Sequence, residues 1–479
     1  MKLPRAKVWL AVAGPLLVLL VVLIGWGLQR SALERRIARY RAAGQPTTLA
    51  ELDAWYTPIP DSENAATALL AAASAWRSTG GTNVPGTRGG PLYPKPGEAW
   101  PAALLETARV ELVSNAVPLA QIHAALQRPR SRYPGSFKVP PNGTSLADMR
   151  VVKQVGQNLG LEARYAAETG DPDRATSALL AMLGVAWTLE EEPLLTSYLL
   201  RGQTILISVG TTGRVLSQTA LTEEQLRRLQ AAFLKAEATN HLMRAMVGER
   251  CLVLDTLNWP AAKLAALFSG LPSELPDETP TMLLNLLAKM LPFLYVDCGL
   301  KSPDLEFYLE GMDQLTEAAT RSRSEMPARQ AAFGSYLDGL GTSWRGQLLP
   351  QSQELDRRIT WLGRLRPLSR QELPNYARVL TAELYWVASL RCAQTAMAVE
   401  RWRLAHAGAL PGSLNELVPQ YLSAVPEDPW DDQPLKYHPR SPGYVVYGVG
   451  LDGTDDGGTE WGPSLNQPEG WDITFTVAR

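Results

Sequence analysis

Tyr444-Val445-Val446-Tyr447-Gly448-Val449-Gly450-Leu451-Asp452-Gly453-Thr454-Asp455-Asp456-Gly457-Gly458 marks the point where a helical chain of 479 residues turns to strand and then to an acidic, glycine-rich turn. Residues Tyr444 to Val449 are mostly β-branched or aromatic and lie between Gly443 and Gly450, which predicts a strand. Ile473, Phe475 and Val477 alternate with Thr474 and Thr476, giving a second, and Leu435-Lys436-Tyr437-His438 is the expected third. Upstream, Leu390, Ala393, Met397 and Leu404 recur at helical spacing while Arg391, Gln394 and Arg401 take the other side, so one face of a long helix is expected to be buried. That helix ends near His406: Gly408 suits a left-handed cap, and Pro411 prevents continuation. Ser413 and Glu416 have capping-box spacing for a short helix. The C-terminal segment, residues 380–479, therefore reads as a small α+β module: a long helix carrying an antiparallel sheet of about three strands.

Outward from this module, Ser31 to about Leu404 reads as helix after helix, and the fold class is mainly α. Thr48-Leu49-Ala50-Glu51 has capping-box spacing, and Asp61-Ser62 offers a cap before an alanine-rich helix. Leu146 to Leu216 and Leu221 to Arg250 place Leu and Ala at helical intervals among charges. The segment Ala163 to Ala175, with Gly170-Asp171-Pro172 at its centre, resembles the turn of a tetratricopeptide hairpin, although no second copy follows at that period. Glycines and prolines make Ser78 to Gly97 a long loop. Arg128 to Asn142 is another, carrying Arg128, Arg130, Arg132 and Lys138, and is expected as a solvated surface. Leu283 to Leu291, broken by Asn285 and Lys289, reads as a buried helix. Trp344, Trp361, Trp386 and Trp402 are expected to pack helices.

The N-terminus suggests a compartment. Val8 to Leu28 is an uncharged run of about the twenty residues needed to cross a bilayer core of roughly 30 Å. Trp26, Gln29 and Arg30 replace the small-residue site of a cleavable signal. The expected organisation is a transmembrane anchor over residues 1–30, a large all-α body over 31–379 outside the cytoplasm, and the module over 380–479. Basic residues flank the run on both sides, so charge alone does not orient it. Cys251, Cys298 and Cys392 are scattered and odd in number, which fits buried thiols better than a disulfide framework. From residue 406 to 479 there are eleven Asp/Glu against three Lys/Arg. An acidic tail disfavours nucleic acid there and favours a cation.

Recognised catalytic chemistry lacks its parts. His123, His241, His406 and His438 are far apart and form no metal-ligand pair, and neither a Gly-x-Ser-x-Gly elbow nor a phosphate-binding P-loop is present. Glu190-Glu191-Glu192 invites a paired-carboxylate reading. Three consecutive residues point in different directions round a helix, however, and a solvent-facing helix terminus is expected. No catalytic residue is assigned. Two classes remain: a non-enzymatic interaction protein, or an enzyme, hydrolase-like, whose dispersed site would appear as a deep pocket in the helical body with perturbed acid or base groups.

The order of features in the tail, from Glu400-Arg401-Trp402 through Gly408-Ala409-Leu410-Pro411 and Asp428-Pro429-Trp430 to the strand and acidic turn, resembles the C-terminal domain of the major pseudopilin of type II secretion systems. The resemblance covers about Leu380 to Val477. It implies an envelope protein at the inner membrane, partners among envelope or secretion proteins, and a calcium site. By resemblance Asp452 follows the strand as a ligand, Val449 supplies a nearby backbone carbonyl, and Asp472 precedes the final Ile473, with Trp471 where a second acid would stand. Asp455 and Asp456 complete the candidate metal set. Calcium takes six to eight oxygens, and clustered carboxylates repel until a cation neutralises them. Asp452, Thr454, Asp456 and Gly457 also match the first half of an EF-hand loop, which fails at Pro463. An ordinary Asp/Gly turn is the alternative. The N-terminus has no pseudopilin leader, with its Gly followed by Phe-x-x-x-Glu.

Overall fold

The computed structural model describes residues 31–79, 93–135, 137, 145–238, 241–256, 301–320, 333, 336, 366–450, 452–460 and 471–479. Helix α1 occupies residues 31–42. It is followed by α2 (Leu49–Trp55), α3 (Ala65–Ser74), α4 (Ala102–Ser114), α5 (Ala116–Ala125), α6 (Ser145–Glu168), α7 (Pro172–Thr188), α8 (Leu195–Gln218), α9 (Glu223–Ala238), α10 (Leu242–Thr256), α11 (Lys301–Thr320) and α12 (Pro367–Ala405). A 3-10 turn, Leu414–Leu417, precedes strands β1 (Lys436–Pro439), β2 (Tyr444–Gly448) and β3 (Ile473–Val477).

The fold expectation needs one correction. Among the described residues no helix is long and apolar enough to cross a membrane, because the long helices carry charges throughout: Lys153, Glu162 and Arg164 in α6, Arg201 and Arg214 in α8, and Glu383, Arg391 and Glu400 in α12. The membrane-spanning class, the signal anchor and the single-pass inner-membrane placement are thus left without a spanning helix among the described residues. The run Val8 to Leu28 itself lies outside the described residues, as do Leu283 to Leu291, Trp344, Trp361 and Cys298. What stands is a mainly helical chain with a small three-stranded antiparallel sheet near its C-terminus.

The chain divides into two compact units. The first comprises residues 1–52, 249–317 and 331–377. Within it, Arg36 of α1 pairs with Glu306 (2.8 Å) and with Asp313 of α11. The Tyr40 hydroxyl donates to Asp313 Oδ1 (2.6 Å), and the Arg250 guanidinium lies 3.7 Å above the Tyr40 ring. Asp304 accepts from the Leu368 and Ser369 amides (2.9 and 3.0 Å), capping the start of α12 with a carboxylate. Charge at a helix N-terminus meets the unpaired amides there.

The second unit comprises residues 53–248, 318–330 and 378–479. Helices α6, α7 and α8 pack on one another, α9 on α7, α3 on α5, and β3 on α8. The hairpin between α6 and α7 turns as its sequence predicts: Gly170 has φ +74°, and the Asp171 side chain accepts from the Arg174 amide with Pro172 opening the next helix. In the sheet, β2 is central, pairing Val446 with Tyr437 on one side and with Phe475 on the other. All five β2 residues are buried, whereas β3 buries Ile473, Phe475 and Val477 and only partly buries its threonines. Gly408 caps α12 with φ +90°, its amide donating to the Arg403 carbonyl. Cys392 of this unit is free and buried, as is Cys251 of the first.

Helix α12 differs from the one-faced helix expected. Residues 392–400 are buried all round, and Leu404 is the exposed one at 47 %. The polar face finds partners instead of water: Arg391 pairs with Glu237 (2.9 Å), Gln394 donates to Glu237 (2.7 Å), and the buried Glu400 meets Arg479. Buried polar groups are tolerated only with such partners. On another side, the Tyr444 hydroxyl donates to the Ala396 carbonyl (3.2 Å), tying the sheet to the helix. Where α12 meets α8, Gly202 lies so close to the Trp386 indole that a Cβ there would overlap the ring.

Candidate functional site

Glu190-Glu191-Glu192 occupies the turn between α7 and α8, not a solvated helix terminus. Its three side chains do diverge, but each finds a charged or hydroxylic partner. Glu190 faces Arg201 (3.4 Å) and His241 (3.6 Å). Glu191, 57 % exposed, pairs with Arg244 (3.3 Å), whose Nε also donates to the Glu191 carbonyl (2.7 Å). Glu192 is 6 % exposed; it accepts from the Tyr56 hydroxyl and from the Tyr133 amide (3.1 Å). Burial pushes its carboxyl up to about 7, against the opposing pull of those hydrogen bonds and of Arg132 and Arg244. Burial also lowers the His241 imidazole, with Glu190 opposing.

A two-limbed cleft opens at this turn. The polar limb, about 490 Å³, is walled by Trp55, Tyr56 and Trp187, with Glu191, Arg130 and Arg244 among its charged residues. The Arg244 guanidinium stacks 4.3 Å from the Trp55 ring centre, and Arg132 lies 4.3 Å over Tyr56. Such cation–π packing fixes both the ring and the charge. The second limb, about 450 Å³, is lined by Leu126, Leu180, Leu183 and Ala232 with Arg128, Arg201 and Lys235. Pro129, Trp187 and Glu190 border both limbs. The basic loop expected at the surface thus forms part of the wall. Arg128 donates to the carbonyls of Asp61 (2.6 Å) and Asn64 (3.0 Å), and Ser131 Oγ donates to the Thr188 carbonyl (2.8 Å).

The parts of this site come from positions 55 to 244, too dispersed to stand out along the chain. One signal was present: an arginine-rich loop and an acidic triplet of complementary charge, each beside an aromatic or proline. Chemically, the arrangement orients and holds. Glu192 is protonatable near neutrality, but it stands behind Tyr56 and is not among the cleft's lining residues.

The expected metal residues are only partly assembled. Asp472 is buried and accepts from the Asp456 amide at Oδ1 (3.3 Å) and the Gly458 amide at Oδ2 (2.7 Å), so its carboxylate closes the turn by itself. Burial raises its proton affinity, and Asp455 and Asp456 add repulsion. Asp456 Oδ2 is buried with no hydrogen-bond partner. Asp452 and Asp455 each accept from the amide two residues onward (3.0 Å), as Asx turns do. Gly453, Gly457 and Gly458 all have positive φ, the backbone such a turn requires. Val449 is buried just past β2, with its amide donating to Asp428. Among the described residues, no three His, Cys, Asp or Glu side chains gather closely enough to hold a metal ion. Both Asp472 oxygens are spent on backbone amides of the turn.

No family model, curated protein or solved structure matches this chain.

Proposed function

We propose that this chain is a non-enzymatic binding protein whose helical unit receives a small organic ligand in the polar limb beside Trp187. One observation carries the reading: an aromatic-walled cleft holds Arg244 stacked on Trp55 next to Glu191, a rigid surface with both charges. Concave sites with a few convergent polar groups are the usual places for small ligands. The acids at the turn are each engaged by a cation or hydroxyl, and Ser131 is held by a carbonyl, which supports recognition over turnover. A short zwitterionic peptide carrying an aromatic side chain fits the walls and the paired charges. Saturation-transfer NMR on the full chain with a mixture of aromatic zwitterionic tripeptides tests this. Transfer to the parent and its loss in Arg244→Ala is expected, and a parent giving no transfer to any peptide overturns the reading.

A second reading is favoured by the partnerless Asp456 Oδ2 and the repulsion at Asp472: calcium stabilises the acidic turn. Binding to the folded state alone stabilises by about 2.7 kcal/mol at a hundredfold excess over Kd. The parent should melt higher in calcium than in chelator, and Asp456→Asn should show a much smaller difference. Equal melting temperatures of the parent in both conditions would remove calcium from the account.

A further inference from the structure

The apolar limb of the cleft has its own chemistry, and the geometry points to an aliphatic monocarboxylate, a free fatty-acid-like anion, as its occupant. This inference shares with the proposed function the premise that the cleft is a ligand site, but it concerns the other limb and its own lining residues. Leu126, Leu180, Leu183, Ala186 and Ala232 supply walls with no polar side-chain atoms. Three cations, Arg128, Arg201 and Lys235, line the same limb against one carboxylate, Glu190. Arg128 is held by the carbonyls of Asp61 and Asn64, which fix the guanidinium without cancelling its charge. Arg201 is 4 % exposed and is anchored to the Ala236 carbonyl (3.0 Å) as well as to Glu190.

An apolar trough under a net positive field selects by two terms. Burial of a hydrocarbon chain contributes about 0.8 kcal/mol per methylene, and charge complementarity selects the sign of the head group. A cationic amphiphile gains the first term and loses the second. A cavity of about 450 Å³ also falls in the range that encloses a small ligand. Lys235 is exposed on α9, so reversing its charge leaves the core intact.

Isothermal titration of the full chain with dodecanoate below its micellar range gives the test. Expected are saturable binding of dodecanoate, none of dodecyltrimethylammonium at the same concentration, and a Kd raised about tenfold in Lys235→Glu. Arg244→Ala, in the other limb, should leave that Kd unchanged. Absence of dodecanoate binding, equal binding of the cationic amphiphile, or an unchanged Kd in Lys235→Glu would each overturn the inference. So would sedimentation with phosphatidylglycerol vesicles in place of uptake of the free acid. The tripeptide experiment reads the polar limb separately: peptide binding without dodecanoate binding defeats this inference alone, and the reverse defeats the peptide reading alone.

Discussion

Gly202→Ala is expected to destabilise the helical unit by about 3 kcal/mol or more, measured as a lower urea midpoint. The added Cβ would overlap the six-membered ring of Trp386, which is itself 6 % exposed and packed 5.2 Å from the Tyr198 ring. Tyr198 also donates its hydroxyl to Glu383 on the same turn of α12, which ties the neighbouring ring in place. Either α8 and α12 separate, losing dispersion contacts along their length, or the ring leaves its rotamer. Combining Gly202→Ala with Trp386→Leu removes the colliding ring and should recover part of the loss. A Gly202→Ala midpoint equal to that of the parent would show that the two helices are not in this register.

Glu192→Gln should change how stability depends on pH. In the folded chain burial holds the Glu192 carboxyl up to about 7, whereas in the unfolded chain it ionises near its ordinary value of 4.5. Between those values the folded state binds the extra proton. Stability is therefore greatest below about 4.5, declines as pH rises through about 7, and is flat above that for this group. Each tenfold change in proton affinity corresponds to about 1.36 kcal/mol, so the decline attributable to Glu192 is roughly 3 kcal/mol. Glutamine carries no titrating proton, yet its Oε1 can still accept from Tyr56 and Tyr133. Denaturant titrations at pH 4.5, 6 and 8 should show the variant gaining on the parent as pH rises. A constant difference across that range would mean that Glu192 ionises normally in the folded chain.

Local signals wrote themselves plainly into the sequence. Alternation at Ile473 to Val477 produced β3 with the expected inward side chains, and Gly408 ended α12 where a left-handed residue was needed. Both depend on neighbours within a few positions. The capping-box pair Ser413 and Glu416 gave only a 3-10 turn, with no side-chain cap from Ser413. Spacing alone did not fix hydroxyl geometry there. Larger departures came from distant partners. Arg391, Gln394 and Arg401 looked like a solvent face because Glu237, Glu223 and Gln230, their counterparts, lie far off in the chain. Glu192 looked exposed for the same reason: Tyr56 and Tyr133 are its environment, and nothing near position 192 announces them. The acidic turn was legible as a turn, since Asp and Gly act locally, whereas the use of both Asp472 oxygens for backbone amides required the fold.

The position of α12 also has a temporal meaning. Its all-round burial makes it the centre of a unit whose other helices lie between residues 53 and 248. During translation those earlier helices emerge more than a hundred residues before the piece that fills them. Until then their alanine- and leucine-rich faces lack the segment that covers them in the finished unit.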